Sequence, residues 1–320
     1  SVPGVWVVIG ILGVNPHIMG KLNLGIDFSG GRNYIIRFAE PVNTQEVNAA
    51  LDNVFMEAKS ELADEETFAL NVITIGDANQ VRVSTNYRIN DNSETLDDEI
   101  EALLYEGCKQ FLPENVTLKE FTSTDINPEI GIMQSQKVGP AIADDITQSA
   151  VWAVLAALLG IFLYVLLRFR NFSFSVGALA GLAHNTLIVL GAYALLWKVM
   201  PFSMEIDQSF IAAILTVIGY SINDTVVIFD RVREYTGLYP KRARKQNIND
   251  ALNQTLSRTF STSMSTLVVL IAIFCFGGET IRGFVFALII GVIVGTYSSL
   301  CVATPLAYDM LKKKGTDSLI

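Results

Sequence analysis

Reactive chemistry is what this sequence has least of. Its 320 residues hold three cysteines: Cys275 and Cys301 in apolar runs, and Cys108 in a polar segment where a lone thiol has no partner for an internal disulfide. All three read as small buried hydrophobes. No Gly-x-Ser-x-Gly occurs, the polar segment has no metal-ligand or nucleophile constellation, and the apolar runs offer no second acid for an aspartyl dyad. These absences argue against an enzyme, an intramembrane protease included, and against a metal or organic cofactor. Residues 2–14 are apolar but short, with no initiator Met and no basic stretch leading to a small-residue cleavage site, so they do not read as a signal peptide. Residues 1–20 are expected to be the clipped end of a first membrane span. The chain would then be cut from a longer polypeptide or trimmed at its start.

Charge is scarce too. Only 17% of residues are charged and 51% are hydrophobic, with a mean hydropathy of +0.40, which excludes an ordinary soluble domain. Five runs are long enough to cross about 30 Å of hydrocarbon at about 1.5 Å per helical residue: residues 146–167, 172–197, 209–229, 256–276 and 284–306. With the clipped one they make six. Residues 21–148 carry 9 Lys and Arg against 23 Asp and Glu, whereas basic residues gather after the second span (Arg168, Arg170), the fourth (Arg231, Arg233, Lys241, Arg242, Arg244, Lys245) and the sixth (Lys312, Lys313, Lys314). By the positive-inside rule those three ends are cytoplasmic, and the acidic segment lies outside.

That acidic segment has a readable order. Strand character at 33–38 is followed by helical spacing at 43–59 (Val47, Leu51, Val54, Phe55). Two alternating runs, 68–75 and 80–87, flank a hairpin turn at 76–79. Helical spacing returns at 95–111 (Ile100, Leu103, Leu104, Cys108), and 115–121 is read as a fourth strand. The pattern βαββαβ predicts an α+β ferredoxin-like domain over residues 21–128. A connector at 129–145, spans 2–6 over 146–309 and a cytoplasmic tail at 310–320 complete the division. The glycines Gly25, Gly30 and Gly31 flank Asp27 in what reads as a tight junction between span and domain.

Within the spans one acid stands out. Asp224 sits inside GYSINDTVVIFDRVRE (219–234), and a carboxylate in mid-span costs roughly 2.5–3.5 kcal/mol on insertion scales, so it is expected to face a partner, a cavity or a proton path. Arg258, just inside the next run and at a comparable distance from the basic loop, is the expected partner. Burial favours the neutral form of such an acid and a nearby guanidinium the ionised form, so the separation of the two decides whether a proton is held. Tyr220 and Ser221 share the face of Asp224, with Asn223 and Thr225 beside it. Ser257, Ser261, Thr262 and Ser265 form a polar stripe around Arg258. These hydroxyls suit a water wire or close helix packing. Gly291 and Gly295 form a GxxxG-like packing face on the last span. A static ion pair fixing helix packing is the rival to a switching one.

Several stretches together resemble the SecD/SecF family of accessory proteins of bacterial protein export, within the resistance-nodulation-division (RND) superfamily, and its smaller SecF members in particular. They are LNLGIDFSGG (22–31), VGPAIADDI (138–146), GYSINDTVVIFDRVRE, and the run from 252 to 306 containing LNQTLSRTFSTSMSTL, FGGETIRGF and GTYSSLCVATPL. Across 32–127 only the order of elements agrees. The resemblance implies an α-helical polytopic inner-membrane protein, an RND-type six-span half-bundle with its first span truncated, carrying an inserted extracytoplasmic ferredoxin-like domain. It implies a role in drawing exported polypeptides outward by the proton-motive force, beside the SecYEG channel and indirectly SecA, with SecD as partner, separate or fused upstream. Na⁺ is the alternative coupling ion. Asp224 and Arg258 match the family's intramembrane charged pair; a third acid belongs to SecD. The family often has His-Asp where this chain has His184 and Asn185, which demotes that position to hydrogen bonding. A small-molecule efflux subunit would need a larger outer region, and a passive scaffold stabilising the translocon would look the same in sequence.

Overall fold

The computed structural model describes residues 22–313 apart from 62–67, 69, 76, 92, 94, 198 and 201. The clipped span expected at 1–20 lies outside the described residues, and of the tail expected at 310–320 only 310–313 are described.

Alternation builds the sheet of the α/β unit. After a short helix α1 (Ile26–Ser29), strand β1 (Gly31–Arg37) turns Tyr34 and Ile36 to one face and Phe38 follows just beyond it. Gly31 sits at φ +137°, and a Cβ there would lie 2.6 Å from the Thr85 carbonyl oxygen, so the junction into the sheet requires glycine. Helix α2 (Thr44–Glu61) contributes Val47, Leu51 and Phe55, and the hairpin β2 (Leu70–Thr74) and β3 (Gln80–Thr85) contributes Val72, Val81 and Val83. Helix α3 (Thr95–Cys108) adds Leu96, Ile100, Leu104 and Cys108 at helical spacing, and all of these meet in one core. Each such side chain contributes about 1.5–3 kcal/mol by leaving water.

The fourth strand is not where alternation places it. Residues 118–122 form a short helix, α4 (Leu118–Thr122), because Thr117 and Glu120 make a capping box in which the Thr117 amide donates to Glu120 Oε2 at 2.7 Å. Strand β4 (Gly131–Val138) lies within the stretch read as connector. It pairs antiparallel with β1 across an irregularity at Ile35/Ile36, and four consecutive residues, 134–137, are all exposed, which erases the period-two signal. The sheet order is β2-β3-β1-β4, with every pairing antiparallel.

The remaining helices are α5 (Pro140–Phe169), α6 (Phe172–Leu196), α7 (Gln208–Leu238), α8 (Arg244–Phe276) and α9 (Glu279–Ser298), the last continuing through a π-helical turn (Ser299–Ala303) into α10 (Thr304–Lys313). Among the described residues five helical segments are long and apolar enough to cross a membrane, one for each predicted run. Helices α7 and α8 extend past those runs at their basic ends, since charged residues leave hydrocarbon without having to leave the helix. Only 6% of the most apolar stretch of α5 is buried, against 50% for the α9–α10 segment, so α5 is peripheral and α9 central. Gly291 permits that centrality: a Cβ on it would lie 2.1 Å from Val217 Cγ2 of α7. Cys275 and Cys301, expected to be buried, lie exposed on the apolar helices, where a thiol needs no polar partner. Cys108 is buried as expected, and burial pushes its thiol up to about 12.

The π turn has a local cause. Pro305 has no N–H to donate to the preceding turn, and the Thr304 hydroxyl instead reaches back to the Ser299 carbonyl at 2.8 Å.

Candidate functional site

Helix α7 is capped by Asp207, whose Oδ1 accepts from the Phe210 amide at 2.8 Å. From that cap its buried face runs through Phe210, Ala213, Ile214, Val217, Ile218, Ser221, Asp224, Thr225 and Ile228. Hydrophobic spacing thus carries Asp224 into the bundle, where it is 4% exposed and its Oδ2 has no hydrogen-bond partner. Arg258 on α8 does not join it inside the bundle. It is exposed, and no ion pair within 4.0 Å joins it to Asp224. It lines a cleft of about 300 Å³ between α7 and α8, shared with Asp230, Arg231, Glu234, Gln254 and Thr255. Asp230 also pairs with Arg168 of α5 at 3.0 Å.

Hydrogen bonds tie the acid's turn of α7 to its neighbours. Asn185 of α6 donates to the Ser221 hydroxyl at 2.8 Å, and His184 Nδ1 lies 3.5 Å from Asn185 Oδ1. The Thr225 hydroxyl lies 3.0 Å from that of Ser299 in the π turn, and the Ser299 hydroxyl also bonds to the Gly295 carbonyl at 2.9 Å. A Cβ on Gly295 would stand 3.2 Å from the Ser221 Cβ. Three helices are thereby held close around one buried carboxyl.

Of the residues singled out in the sequence, His184, Asn185, Ser221 and Asp224 are all buried, and the first three make one chain of contacts one turn from the acid. Tyr220 is half-buried and donates to Thr266 of α8 at 3.3 Å. Asn223 and Ser261 are exposed and take no part in the buried cluster. On α8 the buried polar line is Thr255, Thr259 and Ser263, and the Ser263 hydroxyl meets Thr296 of α9. Its four-residue spacing is visible in the sequence, but nothing there tells which side of α8 turns inward. Ser299 carried no signal, because its position depends on the π turn.

An apolar bundle that buries a carboxyl beneath an α/β unit defines a class, the polytopic membrane proteins with a charged centre inside their helices. Comparison supplies the family. The model described as protein export membrane protein SecD/SecF, C-terminal, matches residues 118–313, and the SecD/SecF GG motif matches residues 20–42. The protein translocase subunit SecF of Rhodothermus marinus is 39% identical over 90% of this chain and 83% of its own. That of Thermodesulfovibrio yellowstonii is 35% identical over 99% of this chain and 91% of its own. The crystal structure of SecDF, a translocon-associated membrane protein from Thermus thermophilus, superposes with a TM-score of 0.73 at 30% identity; it covers 98% of this chain, which spans 37% of that one. The chain belongs to the SecD/SecF family, as the SecF subunits named above do, and it is a multi-pass membrane protein.

Proposed function

We propose that the protein is an accessory subunit of Sec-dependent export in the bacterial inner membrane, working with SecD beside the SecYEG channel, and indirectly with SecA, to complete the outward movement of exported polypeptides. Proton-motive force drives it, with Asp224 as the group that takes up and releases the proton and Arg258 as the charge that gates it; Na⁺ would be handled by the same acid. Arg keeps its charge throughout, so it can bias the acid but not relay the proton. The α/β unit, taken as ferredoxin-like on its element order and its sheet order, lies outside the membrane, and the basic helix ends lie in the cytoplasm. The proposed division of the described residues is 22–138 for that unit and 140–309 for the spans.

The observation that carries this reading is a carboxyl buried in the bundle with an oxygen unpartnered, while a guanidinium lines the α7–α8 cleft without bridging it. A static pair fixing the packing would be expected to touch. Passage of one charge through the membrane potential yields about 2.3 kcal/mol per 100 mV, enough to bias two arrangements of packed helices. The SecD partnership draws support from uncovered apolar stripes on α5 (Trp152, Leu155, Leu159, Leu163) and α8 (Leu256, Phe260, Met264, Val268). Those stripes suit a second half-bundle, and this chain's likeness covers just part of SecDF. An outer unit of a single four-stranded sheet is too small for the porter region of a small-molecule efflux subunit. Asp224→Asn is expected to abolish proton-dependent stimulation of export while the complex stays assembled. Full stimulation in that variant under an intact gradient would end the coupling assignment.

A further inference from the structure

The α/β unit and the helical bundle meet at the start of α7. Glu205, two residues before the α7 cap, is drawn upward into the sheet: Arg82 Nη2 of β3 donates to its Oε2 at 2.9 Å, and Asn71 Nδ2 of β2 donates to its Oε1 at 3.1 Å. Arg82 also reaches the Ser203 hydroxyl at 3.3 Å. The side chains of this pair are 18% and 8% exposed, so water competes little for it. Beside it the backbone makes a short parallel ladder, with the Gly25 amide donating to the Ile206 carbonyl at 2.9 Å and the Ile206 amide donating to the Asn23 carbonyl at 2.8 Å. The Gln208 amide in the first turn of α7 donates to Asp27 at 3.1 Å. Beneath the pair lies a cavity of about 360 Å³ lined by Arg82, Ser203, Glu205, Asp207, Ile281 and Phe284 among others, so the joint is not packed solid on that side.

From that joint α7 continues without a proline to Asp224, about 25 Å away at about 1.5 Å per residue. A displacement of the helix at the acid therefore arrives at Glu205. There it meets charged and amide groups that belong to the sheet rather than to the bundle.

We infer that Arg82 and Glu205, with Asn71 in support, are the joint through which movement of α7 is passed to the α/β unit. They are positioning residues for coupling, with no part in holding or moving the proton. The inference rests on the function proposed above and locates its mechanical output. Two separate contacts are what such a joint needs. The backbone ladder at 23–27 holds the unit against the start of α7, and the side-chain pair, reaching from the sheet's far hairpin, fixes its tilt.

The test uses the full chain in its complex with SecD in membrane vesicles, where proton flux and export stimulation are read side by side. Arg82→Glu and Glu205→Arg each place like charges together in a buried contact. Each is expected to lower export stimulation about tenfold or more while leaving proton flux near the wild-type level. The double variant Arg82→Glu with Glu205→Arg restores the pair in reverse and is expected to recover stimulation. Asn71→Ala, which removes one hydrogen bond to the Glu205 carboxylate and leaves the ion pair, should give a partial loss and keeps the test open if a charge reversal prevents assembly. Unchanged export in the single variants, or flux and export lost together, would overturn the joint. Asp224→Asn, run alongside, separates this failure from the other: flux that persists without the acid overturns the proposed function itself.

Discussion

At the scale of single residues, the centre of this protein is an imbalance between one acid and its surroundings. Asp224 is held in place by apolar neighbours on its own helix and by a hydroxyl–amide cluster one turn away, yet its Oδ2 receives no hydrogen bond. An unsatisfied buried polar atom costs on the order of 1–3 kcal/mol, and such a cost is retained where the group has work to do. Arg258 occupies the neighbouring cleft together with Asp230 and Glu234, so its planar fork has more than one carboxylate within its surroundings. A guanidinium that must address carboxylates on either side of α7 is not interchangeable with an ammonium. Arg258→Lys, which keeps the charge and loses the fork, is expected to lower proton-dependent export stimulation by about tenfold with normal assembly. A lysine variant that performs like the wild type would show that charge alone suffices. The acid was legible in the sequence because a carboxylate in an apolar run is an anomaly. The orientation of its partner was not, because depth along a helix says nothing about which way a long side chain swings.

At the scale of elements, local chemistry decided the places where periodicity failed. The run at 115–121 alternates well enough for a strand, but Thr117 and Glu120 are the start of a helix, and a capping box competes with extended backbone. Glu120 accepts from the Thr117 amide first and from its hydroxyl second, which holds its carboxyl below the usual range. A carboxylate depressed in this way adds stability above its unfolded value, near 4.5, and loses it as pH falls through the lower, folded value. Exchange of the Thr117 amide should therefore accelerate as pH drops below that window, after correction for intrinsic rates, and Glu120→Gln should flatten the dependence. An exchange rate indifferent to Glu120 protonation would remove the cap from the account of α4. The five spans needed no such correction. Length and hydropathy alone mark a segment for hydrocarbon, because a backbone there must close its own hydrogen bonds. The π turn that brings Ser299 to Thr225 was hidden, since it depends on how Pro305 and Thr304 settle the preceding carbonyls.

At the scale of the whole molecule, the bundle is unfinished on one side. Helix α8 buries Thr255, Thr259 and Ser263 against its neighbours and leaves Leu256, Phe260, Met264 and Val268 uncovered along another face. A stripe uncovered in this way suits a second half-bundle, and on the proposed partnership SecD is expected against it. Phe260→Lys should abolish copurification with SecD while membrane insertion is kept; recovery of the pair at wild-type yield would place SecD elsewhere. The two units of the chain meet through residues far apart in sequence, Arg82 with Glu205 and Asp27 with Gln208. No periodicity or motif announces such contacts, because each partner alone is an ordinary polar residue at a strand or helix end.

The amino-acid sequence by itself determined that this protein crosses a membrane, how many described spans it has, that an acidic α/β unit precedes all of these and that Asp224 is its anomalous group. Those are properties of composition and local spacing, and hydrocarbon enforces them on any backbone. Tertiary structure alone decided that the last strand lies at Gly131–Val138, that Ser299 joins the buried cluster, that Arg258 looks into a cleft rather than touching its acid, and that Glu205 reaches up into the sheet. Each of these turns on which side of an element faces its neighbour, and that is settled by packing between segments distant in the chain.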